Sequence, residues 1–130
     1  MDRGLLFGLT LLVACEAEPA AGHQITGNWG GQHVRLSLTA NGGTLEYDCG
    51  SGTVEVLRTK RDGAFVAKGT HTPSRGGPVF QGQVLPSYRV RYSGSVRGNA
   101  MRLQGRLENG TMLGPFSLRR GTEPSLVRCL

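Results

Sequence analysis

From Ile25 onward apolar and polar side chains alternate, and glycine-rich pairs break the alternation at short intervals. A period of two marks strands with one buried and one wet face, because successive side chains leave a strand on opposite sides. In the segment His33 to Ala40, Val34, Leu36 and Leu38 fall on one face and Arg35, Ser37 and Thr39 on the other. Thr44 to Cys49 sets Leu45, Tyr47 and Cys49 inward against Thr44, Glu46 and Asp48. Tyr88, Val90 and Tyr92 alternate with Arg89 and Arg91, and Met101, Leu103 and Leu107 with Arg102, Gln104 and Arg106. No window carries a helical apolar stripe with caps.

Turn signals separate these segments: Asn41-Gly42-Gly43, Gly50-Ser51-Gly52, Asp62-Gly63, Gly98-Asn99 and Asn109-Gly110. Each offers the positive φ that a tight hairpin requires. The longest irregular stretch is Thr72 to Pro78, with Pro86-Ser87 close behind. The pattern predicts an all-β domain: about eight short strands in an antiparallel meander closed into a small barrel. Closure removes the open edges that template aggregation. The rival architecture is a two-sheet sandwich. Tyr47, Phe65, Tyr88, Tyr92 and Phe116 are expected to plug the interior, as side chains do at this strand number; a lined ligand pocket is the alternative.

The 130 residues suffice for one domain and fall short of two. Ahead of the alternating region, Gly4 to Ala14 is apolar apart from Thr10, behind the short n-region Met1-Asp2-Arg3. Such a run is too short to span a bilayer, where about 20 residues are needed, but suits the h-region of a signal peptide. It ends in Leu12-Val13-Ala14-Cys15, which resembles a bacterial lipobox. That resemblance implies cleavage before Cys15, acylation of its thiol and new amine, and export. Residues 1–14 are then signal peptide, 15–24 the lipidated cysteine and a tether, and 25–130 the β domain. Glu16 follows the cysteine in place of the aspartate linked to inner-membrane retention, so the resemblance implies the periplasmic face of the outer membrane. A secretory signal cut after Ala17 or Ala21, giving a secreted or periplasmic soluble protein, is the alternative.

Fifteen Lys and Arg against nine Asp and Glu give a formal charge of +6, and of the lysines there are only Lys60 and Lys68. The cations are scattered with no basic run, so a specific nucleic-acid partner is not expected. Arg35, Arg89, Arg91, Arg102 and Arg106 stand opposite the apolar alternation and should project outward. Arginine forks suit phosphates and carboxylates, so weak binding to anionic lipid or polysaccharide is the functional expectation, and a solvated surface the plain one.

Once Cys15 is assigned to lipid, Cys49 and Cys129 remain and can form one disulfide in an oxidising compartment. His23, His33 and His71 follow no metal-ligand spacing, and no nucleophile-elbow sequence presents a serine to a His33 or His71 paired with Asp48 or Asp62. Glu46 and Asp48 share a strand face at a spacing too common to indicate glycoside hydrolysis. No cofactor, metal or enzymatic activity is expected.

The domain opens Ile25-Thr26-Gly27-Asn28-Trp29, and a Gly-x-Trp at the first strand of a small meander resembles the calycins, avidin-like proteins in particular. The resemblance implies that Trp29 packs across one barrel end beneath a late arginine. Arg119, Arg120 and Arg128 are the candidates, with Arg128 assigned to the barrel end beside Trp29. Avidin-type biotin sites use several tryptophans, whereas here Trp29 stands alone with Gly30-Gly31 after it, so biotin binding is not implied. Over its whole length the chain looks most like secreted bacterial β proteins without a mechanism attached. The functional reading is a membrane-tethered, non-enzymatic binding or structural protein of the cell envelope. Its alternatives are a calycin-like carrier of a small apolar ligand and a lysozyme-inhibitor-like lipoprotein. The +6 charge works against the latter, because lysozymes are themselves basic.

Overall fold

The computed structural model describes residues 23–74, 82 and 84–127. These residues form strands and no helix: β1 (His23–Ile25), β2 (Gly27–Gly31), β3 (Val34–Thr39), β4 (Gly42–Tyr47), β5 (Gly50–Val54), β6 (Leu57–Thr59), β7 (Ala64–Pro73), β8 (Tyr88–Arg97), β9 (Ala100–Leu107) and β10 (Met112–Arg120). Eight of them close into an antiparallel barrel in the order β10-β2-β3-β4-β5-β7-β8-β9, while β1 and β6 pair as a separate two-stranded sheet. The barrel, and not the sandwich, is the architecture. The segment 1–14 expected to be a signal peptide, Cys15, Arg128 and Cys129 lie outside the described residues.

The alternating residues take the faces that their period assigns. Val34, Leu36, Leu38, Leu45, Val90, Tyr92, Met101, Leu103 and Leu107 are buried in one core. Two local readings are corrected. Tyr47 pairs with Gly50, so the β4–β5 turn is the two-residue Asp48-Cys49, and Cys49 is exposed rather than inward. Gly50-Ser51-Gly52 is then strand and not turn. Its glycines are there for space: a Cβ on Gly50 would lie 2.9 Å from His71 Cε1, and one on Gly52 3.1 Å from the Tyr92 hydroxyl.

The two barrel ends differ. At one, Trp29 is 1% exposed and packs in the core with Ile25 and Leu57 from the small sheet. Its ring lies 4.4 Å beneath the guanidinium of Arg120, which also donates to the Thr26 carbonyl at 2.5 Å. The arginine over Trp29 is therefore Arg120; Arg128, assigned there from the sequence, lies outside the described residues, one position beyond Val127. The reason is register: Arg120 is the cross-strand partner of Trp29 in the β10–β2 pair.

The other end is filled by aromatic rings. Tyr92 is fully buried, and Cβ atoms on Gly69 and Gly105 would sit 2.7 and 3.0 Å from its ring. Its hydroxyl meets that of Tyr47 at 2.9 Å and donates to the Thr70 carbonyl at 3.3 Å. Tyr47 also stacks edge-on against His71 and tilted against Phe116, at centroid distances of 5.2 and 5.6 Å. Three glycines, Gly52 on β5, Gly69 on β7 and Gly105 on β9, make room for one tyrosine. The interior here is side chain.

Candidate anion-binding face

Of the five arginines expected to project outward, the fold brings three onto one stretch of wall. Arg91 on β8 pairs directly with Arg106 on β9, and on its other side with Lys68 on β7. Lys68, Arg91 and Arg106 thus form a rung of three exposed cations in register across three adjacent strands. Directly opposed residues carry their Cβ atoms about 4.5–5.5 Å apart, and like charges so placed repel. Arg89 stands two residues before Arg91 on the same exposed face. A shallow depression of about 710 Å³ includes Lys68, Arg89, Arg91, Arg106 and Glu108.

Counter-charge is scarce. Among the described residues the ion pairs are His33–Asp48 and Arg35–Glu46, and neither touches this rung. Glu108, the nearest acid in sequence, accepts the Arg89 main-chain N–H at 3.4 Å. An unpaired row of cations costs stability in the free protein, and an anion bridging the row relieves that cost.

The remaining two expected arginines are elsewhere. Arg35 pairs with Glu46 at 2.7 Å across the β3–β4 register, four strands round the barrel from β8. Arg102 lies four residues from Arg106 along β9, about 13 Å away. It shares a second depression, of about 690 Å³, with Arg97 and Arg119. Lys68 was missed in the sequence because it stands in a strand with few regularly spaced apolar residues; the exposed Val66 beside it further blurs the alternation.

The other sequence candidates resolve into structure. His33 and Asp48 do meet, Nδ1 to Oδ2 at 2.5 Å, with His33 held at a φ of 73°. The second carboxylate oxygen of Asp48 accepts the Val127 N–H at 2.8 Å. Ser125 in turn donates to the Gly31 carbonyl and accepts from the His33 N–H. The hydrogen bond from Val127, with a smaller contribution from His33, holds the Asp48 carboxyl below its ordinary pKa despite the opposing cost of desolvation. This constellation clasps the C-terminal segment to the β2–β3 and β4–β5 turns. Among the described residues no group of three or more His, Cys, Asp or Glu is placed to hold a metal. Glu46 is committed to Arg35, and Asp62 accepts the Ala64 N–H at 3.0 Å.

His71 is 8% exposed, and its Nδ1 has no hydrogen-bond partner among the described residues. Burial holds the imidazole below its ordinary pKa, in the neutral form. The unfolded chain therefore takes up a proton at a higher pH than the folded one. Stability is expected to be complete above about pH 6.5 and to fall as the pH drops below it. Urea titrations of the wild type and of His71→Phe, repeated between about pH 7.5 and 5, should show the steeper loss in the wild type. Parallel curves would place the pH dependence on other groups.

No protein-family model, curated protein or solved structure matches the chain.

Proposed function

We propose that the chain is an exported lipoprotein of the bacterial cell envelope, held through Cys15 at the periplasmic face of the outer membrane. Its barrel acts there as a non-enzymatic module that holds phosphate or carboxylate groups on the β7–β8–β9 wall. The observation that carries this reading is the Lys68–Arg91–Arg106 rung, three cations in register with no acid paired to them among the described residues. The aromatic filling of the interior favours a ligand on the outer wall over a small apolar one inside. A Cys49–Cys129 disulfide belongs to the same reading. It is supported by the Val127–Asp48 hydrogen bond, which holds the chain two residues before Cys129 against the neighbour of Cys49.

Single exposed ion pairs contribute roughly 0–1 kcal/mol, so the rung must act as a unit. At low salt the mature protein in non-ionic detergent is expected to bind a soluble carboxylated polysaccharide, and the chain without its acylated Cys15, free of detergent, to bind vesicles containing phosphatidylglycerol. Binding should fade toward about 0.5 M salt, where the Debye length is a few Å. The triple variant Lys68→Ser/Arg91→Ser/Arg106→Ser should lose the polysaccharide binding with its Tm unchanged or raised. Arg97→Ser/Arg102→Ser, on the neighbouring depression, should keep affinity for the polysaccharide. Retention of polysaccharide by the triple variant would remove the rung from the function. The polysaccharide and vesicle arms separate the two sources of anionic group. Mass spectrometry of the mature N-terminus should find acyl chains on Cys15, and a free terminus at Glu18 or Gly22 would overturn the anchor.

A further inference from the structure

The tether enters the barrel at a particular place. β1 begins at His23, whose register partner is Thr59, and the next residues on that side are Lys60 and Arg61. His23, Lys60, Arg61, Asp62, Gly98 and Arg120 share one depression of about 320 Å³. This is the Trp29 end of the barrel. Arg58 is paired with Gln24 on the small sheet, Arg97 closes β8 at the Gly98-Asn99 turn, and Arg119 and Arg120 close β10.

Six exposed cations therefore surround the point from which the chain runs back to Cys15: Arg58, Lys60, Arg61, Arg97, Arg119 and Arg120. Three acids, Glu55, Asp62 and Glu123, stand among them. Asp62 is partly occupied by the Ala64 N–H. At the opposite end the described turns Gln32-His33, Asp48-Cys49 and Glu108 to Thr111 carry two acids and no Lys or Arg. Among the described turns, the excess of positive charge sits at the end where the tether leaves.

Seven residues separate Cys15 from His23, so the tether spans at most about 28 Å when fully extended. A ten-residue strand tilted as barrel strands are stands about 25 Å high. With the Trp29 end down, the tether has slack and the cations lie within a Debye length of the headgroups, about 8–10 Å. With that end up, the tether must run nearly taut down the whole wall. Acyl chains and a basic surface acting together are the pair of signals that hold a peripheral protein firmly to an anionic leaflet.

We infer that the Trp29 end is a membrane-docking face, whose ring of cations settles on anionic lipid headgroups around the tether. This rests on the lipid anchor proposed above. It assigns the two basic surfaces different partners: the end ring takes the leaflet in which the anchor sits. The Lys68 rung, on the side wall toward the opposite end, is left facing the aqueous compartment and its anionic polymers.

The two lysines of the chain report on the two surfaces, Lys60 on the ring and Lys68 on the wall, and both are exposed. The full lipidated chain, inserted into phosphatidylcholine vesicles with and without phosphatidylglycerol, is labelled with a membrane-impermeant amine-reactive ester. Labelling at each lysine is read by peptide mass spectrometry. On the anionic vesicles Lys60 labelling should fall on the order of ten-fold relative to Lys68, and recover at high salt. On neutral vesicles both should react. Arg58→Ser/Arg61→Ser/Arg97→Ser/Arg119→Ser keeps Lys60 and the Arg120–Trp29 contact, and should abolish the protection. Equal labelling of the two lysines on both vesicles, or protection of Lys68 in place of Lys60, would overturn the inference. The same digest reports the mature N-terminus. If Cys15 carries no lipid, the anchor fails by itself, and the soluble chain titrated with the same anionic vesicles still shows or lacks Lys60 protection.

Discussion

Replacing Trp29 by alanine is expected to cost about 3–5 kcal/mol, the range for truncating a fully buried large aromatic. The side chain is 1% exposed, its indole N–H donates to the Thr26 carbonyl at 3.2 Å, and it supports Ile25 and Leu57 where the small sheet meets the barrel. Truncation removes that packing and leaves the Arg120 guanidinium without the ring beneath it. Urea denaturation should show the loss as a lower midpoint with a similar slope. Arg120→Ala should cost about 1 kcal/mol through the stacking and the Thr26 hydrogen bond together. Arg119→Ala, on the exposed side of the same strand end, should change stability by less than about 0.5 kcal/mol. A larger effect at Arg119 than at Arg120 would contradict the stacking assignment.

Reduction of the proposed Cys49–Cys129 disulfide is expected to be nearly as costly. The bond would close a loop of about 80 residues, for which the chain-entropy account gives about 4 kcal/mol. For a domain of this size that corresponds to a fall in Tm of roughly 15–30 °C. The C-terminal segment is also held by Ser125 to Gly31 and His33 and by Val127 to Asp48, so the reduced protein should keep the barrel while its tail loosens. Scanning calorimetry with and without reductant measures the shift. A thiol assay under denaturing conditions checks the bond itself. Two reactive thiols in protein from an oxidising compartment, or an unchanged Tm on reduction, would count against it.

Much of the fold was legible because strand faces are a local property. Leu36 and Leu38, or Met101 and Leu103, differ from their neighbours by burial alone, and burial follows the period. Turn positions were legible where a glycine adjoins an asparagine, as at Gly98-Asn99 and Asn109-Gly110, whose Gly98 and Gly110 adopt positive φ. They failed at Gly50-Ser51-Gly52, since glycine also serves where a neighbouring strand or ring must come close. Only the positions of His71 and Tyr92 on strands far away in sequence distinguish that use from a turn.

The cations show the same division more sharply. By itself the sequence determined that Arg89, Arg91, Arg102 and Arg106 point outward, because alternation decides which side of a strand a residue occupies. Which cations stand together was decided by tertiary structure. β5 pairs with β7 and leaves β6 to β1, which helps to set the β7 register in which Lys68 faces Arg91 and Arg106. The β3–β4 register gave Arg35 to Glu46 and withdrew it from the patch. Face is set by the residue's own period of two, whereas register is set by closing strands distant in sequence into one barrel, and convergence of charge depends on register.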